Sequence, residues 1–166
     1  MIRLIDVYEP TGIRRGAMAF LYNLLKERDL EMSISHRVLP SYDEHMEFIT
    51  RRPYRCWFLI TIDDAWAGSI YATHFNEIGV AVQKNARGTG IGPAAIRELM
   101  RTHKPRSTEP GARGSNWLAN IAPNNTHSAH VFTKLGFKLA QHTYELPEEE
   151  HHGKGTTEEG PAAGTG

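Results

Sequence analysis

The stretch KNARGTGIGPAAIRELM, residues 84–100, joins a glycine-rich turn to a helix-like pattern that extends over about 90–102. Gly88, Gly90 and Gly92 carry no Cβ atoms, so the backbone there can approach another group closely. The N–H donors and the partial positive charge of a helix N-terminus favour an anion at such a turn. Pro93 fits the first helical turn, where its missing N–H costs nothing. The stretch therefore predicts either an anion-binding loop or a glycine-rich turn without a ligand.

The residues before this stretch predict one strand, two helices and an antiparallel meander of three strands. Apolar residues recur at helical spacing in the first helix, and a capping box of Ser41 and Glu44 begins the second. Runs of β-branched and aromatic residues mark the strands, with turns at Asp63–Asp64 and at 74–76. The predicted bounds are 2–7 for the first strand, about 12–28 and 41–51 for the helices, and 54–62, 66–73 and 77–82 for the meander.

The residues after the stretch predict a strand over 116–121, a helix over 124–135 and a last strand over 137–146. Asn124 or Asn125 caps this helix, and Gly136 follows its end. The step from the strand at 77–82 through a helix to the strand at 116–121 needs a crossover, which favours parallel neighbours. The order β α α β β β α β α β indicates an α+β domain with a mixed sheet over residues 1–146.

Composition and length set limits on the class of protein. The chain has 166 residues and one cysteine, Cys56, so no internal disulfide can form. Its apolar surroundings favour a buried, inert thiol over a nucleophile. Apolar runs are too short to cross a bilayer, and the first residues do not resemble a signal peptide, so a cytoplasmic protein without a membrane role is expected. We expect no metal site, and residues 147–166 predict a disordered tail rich in acidic residues and glycine.

The charge of the chain is zero in total but unevenly placed. The sequence has 19 basic and 19 acidic residues. Seven of the basic residues, against two acidic ones, fall between 84 and 113, around the glycine-rich stretch. A positive patch of this kind attracts anions. It suits a polyphosphate ligand or a nucleic acid, and composition does not separate the two.

Two well-known phosphate loops do not match the stretch. A Walker loop needs Gly-Lys followed by Ser or Thr, and no lysine follows Gly90 or Gly92. A dinucleotide fingerprint needs G-x-G-x-x-G in a first strand-turn-helix unit, with an acidic residue about 20 positions on. Here the glycines read G-x-G-x-G and follow an antiparallel meander. Both interpretations therefore fail on sequence context.

The chain resembles the GNAT superfamily of acyl-CoA-dependent N-acyltransferases. The family signature Q/R-x-x-G-x-G/A reads here as RGTGIG, residues 87–92. The later NIAPNNTHSAHVFTKLGF, residues 120–137, resembles a second family pattern through Asn125, Ser128, Phe132, Lys134, Gly136 and Phe137. The resemblance covers about residues 1–145. It implies a mostly antiparallel central sheet flanked by helices, with a V-shaped splay between the fourth and fifth strands.

The resemblance also implies a cofactor site for acetyl-CoA as co-substrate. Backbone N–H groups of the turn would bind the pyrophosphate, and the pantetheine would pair with the strand at 77–82. A backbone N–H near Gly79 or Val80 would polarise the thioester carbonyl as an oxyanion-hole donor does. The implied cofactor-binding residues are Gly79, Val80, Val82, Arg87, Gly88, Thr89, Gly90, Ile91, Gly92, Asn125, Ser128 and Phe132.

The expected reaction is direct attack of a neutral amine on the thioester, which requires a base because an alkyl amine is mostly protonated near neutrality. Glu77 is the first candidate base, followed by His74 and Tyr71, with a solvated strand-end carboxylate as the alternative for Glu77. Many relatives carry a tyrosine that protonates the leaving thiolate where this chain has Phe132. Tyr144, a water or His130 are alternative donors, and the thiolate can also leave unassisted. His36 and His45 are candidates for the wall of the acceptor cleft.

The acceptor amine stays open at this stage. The resemblance favours a small-molecule amine such as an amino sugar. A protein or ribosomal amine, a nucleic-acid-directed enzyme and a catalytically silent acyl-CoA sensor are the alternatives. Dimers are common in the resembled family, so a homodimer is a further possibility.

Overall fold

The computed structural model describes residues 1–9, 15–29, 32, 34, 38–107 and 115–146. The strands formed within these ranges are β1 Ile2–Asp6, β2 Cys56–Ile62, β3 Ala65–Ala72 and β4 Ile78–Val82. The α-helices are α1 Arg15–Lys26, α2 Tyr42–Thr50, α3 Ile91–Thr102 and α4 Thr126–Lys134, and a 3-10 turn covers Lys84–Ala86.

The strands form one sheet in the order β1-β2-β3-β4, and each neighbouring pair is antiparallel. The turn between β2 and β3 places Asp63 and Asp64 at positive φ, 47° and 68°. A two-residue hairpin turn of this kind needs positive φ at both central residues, which aspartate tolerates. β4 lies at the end of the sheet order, and at its start the segment around Leu118 meets its far edge through a bridge to Glu77.

Side chains alternate between the two faces of the sheet because successive residues of a strand point in opposite directions. Phe58 and Ile60 of β2 belong to the cluster packed with α3, and Trp57 and Leu59 belong to the cluster packed with α1 and α2. α3 buries its apolar stripe completely, with Ala95, Ile96 and Leu99 each 0% exposed. The sheet therefore carries an α3 face and an opposite face covered by α1 and α2.

The helix caps predicted from the sequence are present in the structure. Ser41 and Glu44 form the predicted capping box at α2. Asn125 caps α4 by accepting a bond from the Ser128 N–H, and Gly136 follows α4 at a φ of +92°. At that end, Gly136 N–H donates to Thr133 O and Phe137 N–H donates to Phe132 O. These two bonds form a Schellman motif, which needs the left-handed conformation that glycine adopts freely.

The α+β class with a mostly antiparallel sheet flanked by helices is confirmed, but two predicted strands are wrong. Residues 116–121 contribute one parallel bridge, Glu77 to Leu118, and residues 137–146 carry no strand. A last strand needs a continuous partner edge, and a single bridge at Leu118 does not supply one. Consequently Leu139, Tyr144 and Leu146 are 79–95% exposed.

Several sequence predictions lie partly or wholly outside the described residues. These are the start of the first helix at 12–14, His36, the end of the basic loop at 108–114 and the tail at 147–166. The splay between a fourth and a fifth strand stays a prediction.

Candidate active site

A cleft of about 940 Å³ opens on the face of the sheet covered by α1 and α2. Its floor is formed by β2, β3 and β4, and its walls include α2 and the segment 120–128. Most of the lining is apolar or aromatic, while Glu77, Asn120 and Asn125 bring polar groups to one end. A concave, mostly apolar site with a few convergent polar groups is typical of small-molecule binding.

The carboxylate of Glu77 is held by hydrogen bonds on both oxygens. Thr73 Oγ1 donates to Oε2 over 3.0 Å, and Asn120 Nδ2 donates to Oε1 over 2.8 Å. Two fixed donors restrict the rotation of the carboxylate, so its remaining lone pairs keep one direction in the cleft. Asn120 arrives there because Leu118 bonds both sides of Glu77, with Leu118 N–H donating to Asn76 O and Ile78 N–H donating to Leu118 O.

Asn76, directly before Glu77, explains how the segment after α3 returns to the sheet. Asn76 is 0% exposed, and its backbone adopts a φ of 64°. Its Oδ1 accepts bonds from Arg55 and from the Arg106 N–H, and its Nδ2 donates to Arg106 O. One buried amide therefore ties the loop after α3 to the turn that presents Glu77.

β4 presents alternate backbone groups to its open edge. Thr73 N–H donates to Glu77 O and Gln83 N–H donates to Ala67 O, which fixes the two-residue period of the ladder with β3. By that period the amide of Gly79 points to β3, where it faces Tyr71, and the amides of Val80 and Val82 point to the open edge. The carbonyl of Val82 accepts a bond from Arg87 Nε over 3.0 Å.

The glycine-rich turn leads from that edge into α3. Gly88 and Gly90 have φ values of 77° and 84°, and a Cβ on either would meet no atom within 4 Å. The glycines are therefore needed for conformation, and open space lies beside them. Gly90 caps α3 without a side chain, so the first N–H groups of the helix, at Ile91 and Gly92, face outward.

Charge and side-chain bonds hold this turn in place. Arg87 Nη2 donates to Glu27 O at the end of α1, and the Lys84 N–H donates to a Glu27 carboxylate oxygen. Thr89 Oγ1 donates to Ala86 O. Because Arg87 bonds backbone carbonyls, its positive charge stays available to an anion at the turn.

Aromatic side chains of β2, β3 and the segment before β2 also line the cleft. The rings of Tyr54 and Tyr71 stack with centroids 3.8 Å apart and 9° between their planes, and Trp57 meets both at its edges. Trp57 Nε1 donates to Ser69 Oγ over 2.8 Å, which satisfies a buried indole. Burial, followed by the neighbouring Tyr71, raises the pKa of the Tyr54 hydroxyl.

The structure brings some of the predicted residues together and separates others. The cleft is lined by Glu77, Gly79, Val80, Asn125, Ser128, Phe132 and also by His45. Val82 and residues 87–92 lie further along the β4 edge. His74 is exposed and Tyr144 is 92% exposed, and neither lines the cleft. Phe132 is 6% exposed and packs edge-on against Phe137.

Sequence reasoning missed Thr73, Asn120 and the stack formed by Tyr54. Thr73 sits four residues before Glu77 across a tight turn, a spacing that a hairpin brings together, so this contact had a local signal. Asn120 comes from a segment 43 positions away, and no short-range pattern predicts that contact.

Other predictions concern Cys56, metals and the membrane. Cys56 is buried, and burial raises the pKa of its thiol, as expected of an inert cysteine. The described residues contain no group of three or more His, Cys, Asp or Glu side chains that could hold a metal ion. None of the helices in the described part of the chain is long and apolar enough to span a bilayer.

Comparison with known proteins gives a family match and structural neighbours. A family model described as the acetyltransferase (GNAT) family matches residues 18–137. No curated protein sequence matches the chain.

Solved structures share the fold at low sequence identity. A ribosomal-protein alpha-N-acetyltransferase, RimL, in complex with coenzyme A superposes with a TM-score of 0.64 at 16% identity, covering 84% of this chain and 81% of its own. Mutant forms of the spermidine/spermine N-acetyltransferase SpeG from Vibrio cholerae give 0.59 at 17%, covering 85% and 81%. The N-acetyltransferase PseH from Campylobacter jejuni in complex with acetyl coenzyme A gives 0.59 at 14%, covering 86% and 92%.

Proposed function

The chain belongs to the GNAT acetyltransferase family, and from that membership we propose that it moves an acetyl group from acetyl-CoA to a primary amine of a small molecule, such as an amino sugar. Members of the family are acyl-CoA-dependent N-acetyltransferases, with acetyl-CoA as co-substrate. The observation that carries the proposal is the Glu77 carboxylate, fixed by two donors in a cleft beside the open edge of β4.

Acetyl-CoA would lie along β4 and the glycine-rich turn. Its pyrophosphate would meet the outward N–H groups at the start of α3 and the charge of Arg87, and its pantetheine would pair with Val80 and Val82. The direction of the amides supports Val80 over Gly79 as the donor to the thioester carbonyl, because the Gly79 amide faces β3. Asn125 and Ser128, which line the cleft, would contact the pantetheine from α4.

Glu77 would accept a proton from the attacking amine, directly or through one water. The neutral amine then attacks the thioester carbon, and the N–H of Val80 stabilises the negative charge that develops on the carbonyl oxygen. Neither His74 nor Tyr144 lines the cleft, so Glu77 is the best-supported base of the predicted catalytic residues.

The cleft would hold the pantetheine arm as well as the acceptor, which leaves room for a small acceptor. Its 940 Å³ lies within the roughly 300–1,000 Å³ typical of small-molecule sites. The described structural neighbours act on ribosomal protein and on spermidine or spermine, so a protein amine is the alternative acceptor.

A panel of amines tests the proposal by CoA release and by mass detection of the acetylated product. The panel includes amino sugars, sugar nucleotides, polyamines and peptides with free N-termini. Glu77→Gln should lower kcat by about 10²–10⁴-fold while acetyl-CoA still raises the melting temperature. Glu98→Gln, on the surface of α3, is the matched control and should stay within about twofold.

Each outcome separates the alternatives. Turnover only with peptides would show that the acceptor is a protein amine and not a small molecule. A Glu77→Gln enzyme with the wild-type rate would remove Glu77 as base. Acetyl-CoA binding without turnover on any amine would favour an acyl-CoA sensor. Salt-dependent binding of a nucleic acid, seen as a mobility shift, would indicate a nucleic-acid partner.

A further inference from the structure

The ring of Tyr71, a residue of β3, packs on the backbone of β4 at the border of the cleft. Tyr71 is the cross-strand partner of Gly79, and a Cβ built on Gly79 would collide with the Cζ atom and the hydroxyl oxygen of Tyr71. The phenol therefore crosses from β3 over the β4 backbone, on the side that lines the cleft. The next residue along the strand, Val80, is the one whose amide points to the open edge.

Glu77 and Tyr71 share that side. Residues 77 and 79 point to the same face of β4 because side chains alternate along a strand, and Tyr71 covers the position of Gly79. Both Glu77 and Tyr71 line the cleft. A proton acceptor and a phenol hydroxyl therefore flank the part of β4 at which the thioester would be attacked.

The chemistry of amide formation offers each group a role. Aminolysis of a thioester by a neutral amine releases one proton from nitrogen and leaves an electron pair on sulfur, and a donor that protonates the sulfur makes CoA a better leaving group. Phe132 has no acidic proton and packs in the apolar core, and Tyr144 is 92% exposed outside the cleft. Tyr71 presents a hydroxyl over Gly79, on the same side of β4 as Glu77.

We propose that Tyr71 is a catalytic residue that donates its hydroxyl proton to the sulfur of the leaving CoA. The proposal rests on the acetyl-transfer function argued above. As the N–C bond forms, the C–S bond breaks and its electron pair goes to sulfur, which takes the proton from Tyr71. Glu77 passes the proton that it took from the ammonium to water, and then accepts the proton that the nitrogen loses as the amide forms. This second proton then returns through water to the Tyr71 phenolate, so both residues regain their starting state.

Tyr54 supports this role from the adjacent stack. Its ring lies parallel to that of Tyr71 at 3.8 Å between centroids, which brings the two hydroxyls side by side. The pKa of the Tyr54 hydroxyl is raised mainly by burial and next by the neighbouring Tyr71. Tyr54 therefore keeps its proton and can donate a hydrogen bond to the Tyr71 oxygen. A donated hydrogen bond stabilises the phenolate that forms when Tyr71 gives up its proton.

Kinetics of Tyr71→Phe with acetyl-CoA and a productive amine test the proposal. The variant keeps the ring over Gly79 and its stack with Tyr54, so the fold should be retained and the melting-temperature rise with acetyl-CoA should match the wild type. We expect kcat to fall by about 10²-fold, with little change in the KM for acetyl-CoA. The alkaline decline of kcat, which reports loss of the donated proton, should disappear.

Two matched tyrosine variants complete the experiment. Tyr54→Phe should lower kcat by less than Tyr71→Phe does. Tyr8→Phe, in the same aromatic cluster but outside the cleft, should stay within about twofold. The pH profile is read against the other titratable or charged groups that line the cleft, which are Arg28, Glu44, His45, Glu47, Arg51, Tyr54 and Glu77.

The proposal is overturned if Tyr71→Phe retains the wild-type kcat, if it retains the alkaline decline, or if the wild type shows no such decline. A larger loss in Tyr54→Phe would also overturn it, because Tyr54 would then be the donor. An inactive wild type with every amine would instead contradict the proposed function itself.

Discussion

The two faces of the sheet differ in composition although the same strands build both. Toward α3 the strands present Ile60 and Ile70, each 0% exposed, and the packing is dry and aliphatic. Toward α1 and α2 the same strands present Trp57, Ser69 and Tyr71, and a cleft of about 940 Å³ remains. One face is therefore closed by packing, and the other keeps room and polar groups for chemistry.

β4 shows the difference on a small scale. Ile78 is buried on the α3 face, whereas Glu77 and Gly79, which is covered by the ring of Tyr71, lie on the cleft side. Changes on the α3 face should therefore alter stability without altering catalysis in the folded molecules. Changes on the cleft side should alter activity more than stability.

Leu99→Ala should have the largest effect on stability. Leu99 is 0% exposed in the α3 core, and removing a buried leucine side chain costs about 2–5 kcal/mol. Denaturant unfolding measures the loss, and kcat per folded molecule should not change. Arg97→Ala, at an exposed position of the same helix, is the control and should stay within about 0.5 kcal/mol. A loss below about 1 kcal/mol for Leu99→Ala would mean that this face is not tightly packed.

Gly79→Ala should have an intermediate effect and should change both properties. The new methyl group would collide with Tyr71, so the phenol has to move at a cost of about 1–3 kcal/mol. The cost should be smaller when Tyr71→Ala is already present, and a double-mutant cycle measures that coupling. Equal costs in both backgrounds would show that the two residues are not in contact.

Ser41→Ala should have the smallest effect, about 1 kcal/mol, because it removes the N-cap of α2, which lines the cleft. Ser41→Asp keeps a capping oxygen and is the control.

The backbone N–H and then the hydroxyl of Ser41 donate to Glu44 and lower the pKa of that carboxyl. This contribution is present above the pKa of glutamate in the unfolded chain and is lost as pH falls through the lowered value. Ser41→Ala keeps the backbone N–H and removes only the hydroxyl, so the difference between wild type and Ser41→Ala should shrink in acid by the share of the hydroxyl bond. A constant difference would argue against the bond from the Ser41 hydroxyl to Glu44.

The same contrast separates what the sequence predicts from what it does not. Local signals succeeded for the capping box at Ser41, the turn at Asp63–Asp64 and the glycine after α4, because each depends on neighbouring residues. The strands at 116–121 and 137–146 were predicted wrongly because strand formation needs a partner edge, which a composition rich in β-formers does not supply.

The candidate site shows the same limit. Glu77 was identifiable from its place at the start of β4. Its partner Asn120 and the phenol stack over Gly79 depend on contacts between distant segments. The sequence suggested His45 of α2 as a wall residue, and His45 lines the cleft. The rest of that wall was not identifiable, since α1 and α2 carry ordinary amphipathic patterns.

The proposed function requires that the turn before α3 and the adjoining edge of β4 bind acetyl-CoA. Isothermal titration of acetyl-CoA into wild type, Gly90→Asn and Gly90→Asp tests it most directly. Both substitutions suit a helix N-cap and tolerate the positive φ of Gly90, and they differ by one negative charge. Gly90→Asn should bind acetyl-CoA more weakly than the wild type, because its side chain enters the open space beside the turn. Gly90→Asp should bind at least about tenfold more weakly than Gly90→Asn, because its carboxylate also repels the pyrophosphate. No binding to the wild type, or equal Kd values for Gly90→Asn and Gly90→Asp, would contradict the account.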